Sequence, residues 1–135
     1  DNIQGLKIPS NVRIHINIPV AEVLKLYQRS ILTVIPCIER YRSSGQMVLL
    51  ETASAGLPII ASKIKGITSA FNFQEKEHLF FVKPQNRSDL VKKINFLLNN
   101  KKESKEMGLR AAELVKRNYT TRHLANTLAK FIDNL

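Results

Sequence analysis

The sequence predicts an α/β fold, a Rossmann-like layered domain with a mainly parallel sheet flanked by helices. Short β-branched or aromatic runs alternate with longer segments of helical periodicity. The runs 31–35 and 58–61 are apolar almost throughout, as expected of parallel strands that are covered on both faces. Only helical patterns follow the last predicted strand, so helices should form the C-terminal end of the domain.

The first predicted elements lie between residues 12 and 35. Apolar and polar residues alternate from 12 to 18, which predicts a strand with one wetter face, closed by Pro19. Apolar residues at helical spacing from 20 to 27 predict a short amphipathic helix. The apolar run 31–35, ended by Pro36, predicts a buried parallel strand.

The middle of the chain continues this alternation. Residues 46–55 are nearly all apolar and too numerous for a typical strand, so they predict a buried helix, which Gly56 ends. Residues 58–61 and 78–82 predict the second and third central strands.

Three more helices are predicted after the last strand. Apolar residues between 90 and 98 mark the first, with Asn86 or Ser88 as its N-cap. Apolar residues between 107 and 115 mark the second. Those between 124 and 135 mark the third, with Thr120 or Thr121 as its cap. No repeat, low-complexity segment or linker interrupts this order, so residues 1–135 are expected to be a single domain.

The composition argues against several classes of protein. No apolar run is long enough to span a membrane as a helix, and the first residues lack the layout of a signal peptide. The single cysteine, Cys37, excludes an internal disulfide, and a small buried residue explains it better than a reactive thiol. The three histidines lack metal-ligand spacing, so we expect neither a metal nor a cofactor.

The chain is strongly basic, with a net charge of +10. This charge favours an anionic partner or surface, although most of the basic residues between 92 and 117 are explained singly as solvated helix faces. The few aromatic residues mostly have core spacing, and only Tyr41 is flanked by arginines. Without stacking platforms, nucleic-acid binding is the weakest of the functional hypotheses.

Ligands of parallel α/β sheets bind beyond the carboxyl ends of the strands. Here those ends are the loops 36–46 and 62–66, and both carry positive charge. Residues 43–47, Ser-Ser-Gly-Gln-Met, lead directly into a predicted helix, whose free N–H groups and partial positive charge favour a phosphate. An ordinary serine N-cap explains the same residues, so both interpretations remain open.

Glu51 is the only charged residue between 47 and 57. A carboxylate on so apolar a helix needs a partner, because burying it unpaired is very costly. It could accept hydrogen bonds from nearby backbone or from Ser54. Alternatively, it could face the strand ends and accept them from the hydroxyls of a ribose. The residues themselves leave both interpretations open.

From residue 11 onward the chain resembles the C-terminal domain of the family 4 glycosyltransferases, which have the GT-B fold. The run 43–62 is similar to that family's glycine-containing loop, its Leu-Glu-Ala-Met-Ala-like helix and its Gly-x-Pro-Val-Ile-Ala-Ser-like strand. Further matches follow in order: Lys65-Gly66-Ile67, the Lys83-Pro84 turn, Met107-Gly108 with Ala111, and Asn118-Tyr119-Thr120.

The resemblance implies transfer of a sugar from a nucleotide-diphosphate donor, with retention at the anomeric carbon and without a metal. Glu51 matches the second acid of the family's paired-glutamate motif, which implies that it binds the donor ribose. Asn17 and Ile18 fall near the segment that approaches the nucleobase. The residues matching the loop that meets the diphosphate and sugar are Ser44, Gly45, Gln46 and Met47. No catalytic residue is assigned.

The chain departs from the family pattern at Ser43, where the family has its first paired acid, and Glu39 cannot be aligned there without a gap. Ser43 is therefore only a candidate donor contact. The family's phosphate clamp lies upstream, and Arg42 and Lys63 could supplement it by loop position. We expect residues 1–135 to be a partial donor-binding domain without its acceptor-binding domain, and inactive alone.

The implied setting is cytoplasmic synthesis of a polysaccharide, glycolipid or lipopolysaccharide. A glycan or lipid-linked acceptor would bind through the other domain, and the basic surface would rest on the anionic inner face of a membrane. The donor could be a UDP- or GDP-sugar. Ser43 also supports an alternative, a degenerate module that binds a nucleotide without performing chemistry.

Overall fold

The computed structural model describes residue 5 and residues 7–39 and 44–133. In chain order the elements are α1 (Val20–Arg29), β1 (Thr33–Ile35), α2 (Gln46–Ser54), β2 (Ile59–Ser62), α3 (Lys65–Thr68), β3 (Phe80–Val82), α4 (Arg87–Asn99), α5 (Lys101–Asn118) and α6 (Thr121–Asp133). The predicted fold class, with its parallel sheet, flanking helices and C-terminal helices, is confirmed.

The described residues form a three-stranded parallel sheet with the order β1-β2-β3. In its register, Thr33 pairs with Ile59 and Ile60 pairs with Phe80. Every residue of β2 and β3 is buried, which explains why both strands, apart from Ser62 at the end of β2, are apolar without alternation. Because all strands run the same way, the loops that follow them meet at one edge of the sheet.

The two faces of the sheet are covered by different helices, because successive side chains of a strand point to opposite faces. Ile59 and Ala61 belong to the core cluster that includes α2 and the second half of α5. Ile60 belongs to the cluster that includes α4 and Met107 of α5. Helix α5 therefore contributes side chains to both layers of the core.

Three predicted helix ends are confirmed in atomic detail. Gly56 follows α2 with φ +70°, a left-handed conformation that suits glycine after a helix. Asn86, rather than Ser88, caps α4, and its side chain accepts a hydrogen bond from Asp89 N at 3.0 Å. At the start of α6, Thr120 Oγ1 accepts a weak bond from His123 N at 3.4 Å.

The strand predicted for residues 12–18 is wrong. These residues have no regular structure, and Ile16 is 65% exposed. A strand needs a neighbour for its N–H and C=O groups. Among the described residues, β1 pairs only with β2, and nothing pairs with residues 12–18. The alternating pattern indicated which side chains could share a face, but it carried no information on whether a partner strand was present.

Smaller corrections concern lengths and burial. The first buried strand spans only Thr33–Ile35, and the strand predicted for 78–82 begins at Phe80. The helix predicted to be buried presents one face to solvent, since Met47 is 69% exposed. The short helix α3 was not predicted. None of the described helices is both long and apolar enough to cross a membrane.

Candidate functional site

In the described part of the chain, three hydrogen bonds join residues between 37 and 46, which follow β1, to residues 62–66 at the end of β2 and just beyond it. The bonds run from Cys37 N to Ser62 Oγ (3.0 Å), from Lys65 N to Glu39 Oε2 (2.8 Å) and from Gln46 Nε2 to Gly66 O (2.6 Å). Each bond pairs a side chain with backbone. The two loops singled out by the sequence therefore lie side by side at the carboxyl edge of the sheet and support each other.

Gly45 brings the first loop directly onto the end of β1. Its φ is +78°, in the left-handed region that favours glycine. A Cβ atom at this position would lie 2.9 Å from Ile35 Cγ2 and 3.0 Å from Cys37 Sγ. Glycine is therefore required here both by the backbone conformation and by the space available, and the chain enters α2 immediately after it.

The N-terminus of α2 has no side-chain cap among the described residues. Gly45 is the N-cap residue, and the first turn contains no acidic side chain. The interpretation of Ser44 as an ordinary serine cap is therefore wrong, while Ser43 lies outside the described residues. The first N–H groups of α2 have no intrahelical partner, and with the helix dipole they can receive an anion.

The other candidates in these loops have different surroundings. Gln46 uses its side-chain amide to hold Gly66 O, and the Met47 side chain extends into solvent. Lys63 lies one residue beyond β2, where its backbone N donates to Val82 O at 2.8 Å. Its side chain is exposed, which leaves a cation at the edge where the strands end.

Glu51 lies on the exposed side of α2 and its Oε2 accepts a hydrogen bond from the Tyr27 hydroxyl at 3.0 Å. Within the described residues, neither backbone nor Ser54, the two partners suggested by the sequence, donates a hydrogen bond to this carboxylate. In the sequence, Tyr27 is only one of the apolar residues that recur at helical spacing from 20 to 27. The signal that could have found this contact is chemical, because a partly buried tyrosine usually needs a partner for its hydroxyl.

The surroundings of Tyr27 keep its hydroxyl protonated. Partial burial, followed by the hydrogen bond and the negative charge of Glu51, raises the pKa of Tyr27 to about 12. At neutral pH the phenol is therefore a donor, and it holds the carboxylate without adding a positive charge. The second oxygen of Glu51, Oε1, has no hydrogen-bond partner within the described residues.

The remaining candidates are not brought into this arrangement. Asn17 is exposed and has a φ of +53°, and Ile18 is half-buried. Neither makes a side-chain hydrogen bond to the two loops in the described residues. Arg42 lies outside the described residues, as does Ser43. The described residues contain no cluster of histidine, cysteine or acidic side chains suited to a metal ion.

A cavity of about 200 Å³ opens at the same edge of the sheet, between the ends of β2 and β3. It is lined by Ser62, Val82, Lys83, Gln85, Asn86, Arg87 and Leu90. None of the candidate donor-binding residues lines this cavity. It is therefore a separate basic region, with Lys83 and Arg87, beside the candidate donor site.

Two comparisons relate the chain to known proteins. The model of the family described as "Glycosyl transferases group 1" matches residues 1–114. The fold is similar to that of sucrose-phosphate synthase from Thermosynechococcus elongatus, with a TM-score of 0.75 and 20% sequence identity. That match covers 87% of this chain and 28% of the synthase, so the chain spans just over a quarter of that enzyme. No curated protein sequence matches the chain.

Proposed function

The chain belongs to the group 1 glycosyl transferases, and from this membership we propose that it binds a nucleotide-diphosphate sugar at the carboxyl edge of its sheet. In the full-length enzyme it would act as the donor-binding half, beside an acceptor-binding domain. The sugar would then be transferred, with retention at the anomeric carbon, to a glycan or a lipid-linked acceptor. The 135 residues alone would bind the donor without turning it over.

The observation that carries this proposal is the relation between the start of α2 and Glu51. The N-terminus of α2, which has no side-chain cap in the part of the chain that the structure describes, follows Gly45, and the exposed carboxylate of Glu51 lies on the same helix. Six residues of helix separate the two by about 9 Å along the axis. A diphosphate at the amide end would leave the nucleoside close to the carboxylate, which can accept hydrogen bonds from ribose hydroxyls.

The charges at this edge favour the same ligand. Lys63 presents an exposed ammonium group at the end of β2, and Arg42 is proposed as a second cation from its place in the loop. Loss of a diphosphate leaving group develops negative charge, which a helix N-terminus and cations can stabilise. Ser44, Gly45, Gln46 and Met47 would surround the diphosphate and sugar, with Ser43 at the sugar. Asn17 and Ile18 would approach the base.

The net charge of +10 supports a site of action at an anionic surface. We propose the cytoplasmic face of a membrane that carries a lipid-linked acceptor for polysaccharide or glycolipid synthesis. At low salt, the protein should bind vesicles that contain anionic lipid and should not bind neutral vesicles. Equal binding to both would contradict this part of the proposal.

Calorimetric titration with UDP-, GDP- and ADP-sugars tests donor binding. A hydrogen bond to a charged group contributes about 1.5–3 kcal/mol, so Glu51→Gln should weaken the preferred donor about ten- to hundredfold. Glu106→Gln, which changes an exposed carboxylate on α5, is the matched control and should leave Kd unchanged. Equal affinity of the wild type and Glu51→Gln would contradict the proposed site.

Ser43, which replaces the family's first acid, favours one second candidate, a module that binds the nucleotide but does no chemistry. Turnover by the full-length enzyme separates the two candidates. Activity that Glu51→Ala lowers supports the transferase. Donor binding without turnover in either form supports the degenerate module.

A further inference from the structure

The contact between Tyr27 and Glu51 joins two helices that have different relations to the core. Helix α2 is anchored by three buried residues, whereas α1 contains none. Apolar residues of α1 remain in solvent, and Val20 is 74% exposed. The hydrogen bond at 3.0 Å is therefore a specific polar contact from α1 to α2, and not a by-product of burying α1 in the core.

We propose that Tyr27 is a positioning residue for the donor: its hydroxyl holds Glu51 through Oε2 and leaves Oε1 directed to a ribose hydroxyl. This inference rests on the proposed function, because Tyr27 can position Glu51 for the donor only if Glu51 binds the donor. It adds to that function a residue on α1, outside the two loops at the ends of the strands.

The physical reason is the flexibility of an exposed glutamate. Fixing such a long side chain costs conformational entropy, which donor binding would otherwise have to offset. A carboxylate that is already held by one oxygen loses less freedom when a ligand occupies the other. This restraint should therefore appear as a tighter Kd for the nucleotide, with little change in the rate of the chemical step.

The chemistry of the restraining group also fits. A lysine or arginine in place of Tyr27 would offset the charge of Glu51 and compete with the ribose for it. A phenol is neutral and donates a single hydrogen bond. The raised pKa of Tyr27, to about 12, keeps that proton in place over the whole physiological range. Glu51 thus retains its negative charge and one free oxygen for the ligand.

The test is a double-mutant cycle in the intact protein, with UDP and GDP as probes and Kd as the readout. Tyr27→Phe keeps the ring and removes only the hydroxyl, and it should weaken the preferred nucleotide about three- to tenfold. In a Glu51→Ala background, which offers the hydroxyl no acceptor, the same change should have no further effect on Kd. Tyr119→Phe also removes a hydroxyl, which accepts a bond from Asn72 N, and should leave Kd unchanged.

Two outcomes would overturn the inference, and they differ in what they say of the site. If Glu51→Gln binds nucleotide as the wild type does, both the proposed function and the role of Tyr27 fail. If Glu51→Gln weakens binding but Tyr27→Phe changes only the Tm and not Kd, the donor site remains and the positioning role fails. In the full-length enzyme, a Tyr27→Phe effect on KM with an unchanged kcat supports positioning, whereas a fall in kcat alone contradicts it.

Discussion

Gly108 of α5 lies directly against the carbonyl group of Gly56, where α2 ends. A Cβ atom at position 108 would overlap Gly56 O, far inside van der Waals contact. The absence of a side chain therefore sets how closely α5 approaches the end of α2. Because α2 begins directly after Gly45 and carries Glu51, this contact at the opposite end of the helix helps to fix the candidate donor site.

Gly108→Ala should destabilise the protein by about 1–3 kcal/mol, because the new methyl group meets rigid backbone and α5 must move. A loss of stability would point to the close contact, because helix propensity alone favours alanine over glycine by about 1 kcal/mol and predicts a gain. The free energy of unfolding in urea measures the effect. Glu106→Ala, at an exposed position of the same helix, should change it by less than about 0.5 kcal/mol. A stabilised Gly108→Ala protein would contradict the close approach.

The sequence predicted the interior of the fold better than its edge. Strands β2 and β3 are buried on both faces, so their local composition records their environment directly. Residues 12–18 have an equally clear pattern but form no strand. Pairing depends on a neighbouring strand, and a local pattern cannot report that no described residue pairs with 12–18. The same reasoning explains why helix ends such as Gly56 and Asn86, which depend on neighbouring residues, were predicted correctly.

In the candidate site, too, the features set by local sequence were predicted and the contacts with distant residues were not. The loop before α2 was predicted from local features, namely small residues, a glycine and the helix that follows. The partner of Glu51 was missed because Tyr27 lies 24 residues away on another helix. Burial was also misjudged: an apolar neighbourhood in sequence suggested a buried carboxylate, yet this side of α2 faces solvent. Contacts between elements depend on how the elements pack, whereas residue spacing fixes only which residues share a helix face.

Gly45 and Gly56 form a matched pair for testing the loop before α2. Both have a positive φ, so alanine at either position should cost about 1–2 kcal/mol from backbone strain. Only at Gly45 would the Cβ atom crowd Ile35 and Cys37, whereas at Gly56 it would lie 3.9 Å from Leu109 Cδ2, in ordinary van der Waals contact. Gly45→Ala should therefore lower the free energy of unfolding by about 1–3 kcal/mol more than Gly56→Ala.

Donor affinity should also fall more in Gly45→Ala than in Gly56→Ala. Gly45→Ala displaces the N-terminus of α2 and should weaken UDP or GDP binding at least tenfold, while Gly56→Ala should leave Kd within about twofold. Titration at a temperature well below both Tm values separates affinity from unfolding. Equal losses of stability for the two variants would show that the space around Gly45 is not restrictive.

Ser62, at the end of β2, accepts a hydrogen bond from Cys37 N in the loop after β1. Ser62 is almost completely buried, with 3% of its surface exposed. Ser62→Ala removes the acceptor of Cys37 N and should cost about 1–3 kcal/mol, because that N–H group loses its partner. Chemical denaturation measures the loss. Ser69→Ala also removes a side-chain hydrogen bond, but at an exposed site, and should have an effect below about 0.5 kcal/mol. Equal effects of the two changes would contradict a linking role for Ser62.

His78 should make the protein less stable as the pH falls from 7.5 to 5.5. Its ring is buried, and Nδ1 accepts a hydrogen bond from Gln74 N at 3.1 Å, which requires the neutral form. Burial, with a smaller effect of the Arg110 charge, lowers the pKa of His78, although Glu77 acts in the opposite direction. In the unfolded chain the imidazole takes up a proton near pH 6.5, while in the folded protein it does so only at lower pH.

The unfolded state therefore binds more protons in this interval, and the free energy of unfolding decreases as the pH falls. The stability contributed by neutral His78 is fully present above pH 6.5 and is lost towards its lowered pKa. His78→Asn offers an oxygen in place of Nδ1 and cannot titrate, so its stability should depend less on pH between 7.5 and 5.5. His15→Asn, at an exposed position, should keep the wild-type dependence. Parallel pH profiles for the wild type and His78→Asn would show that His78 is not the group responsible.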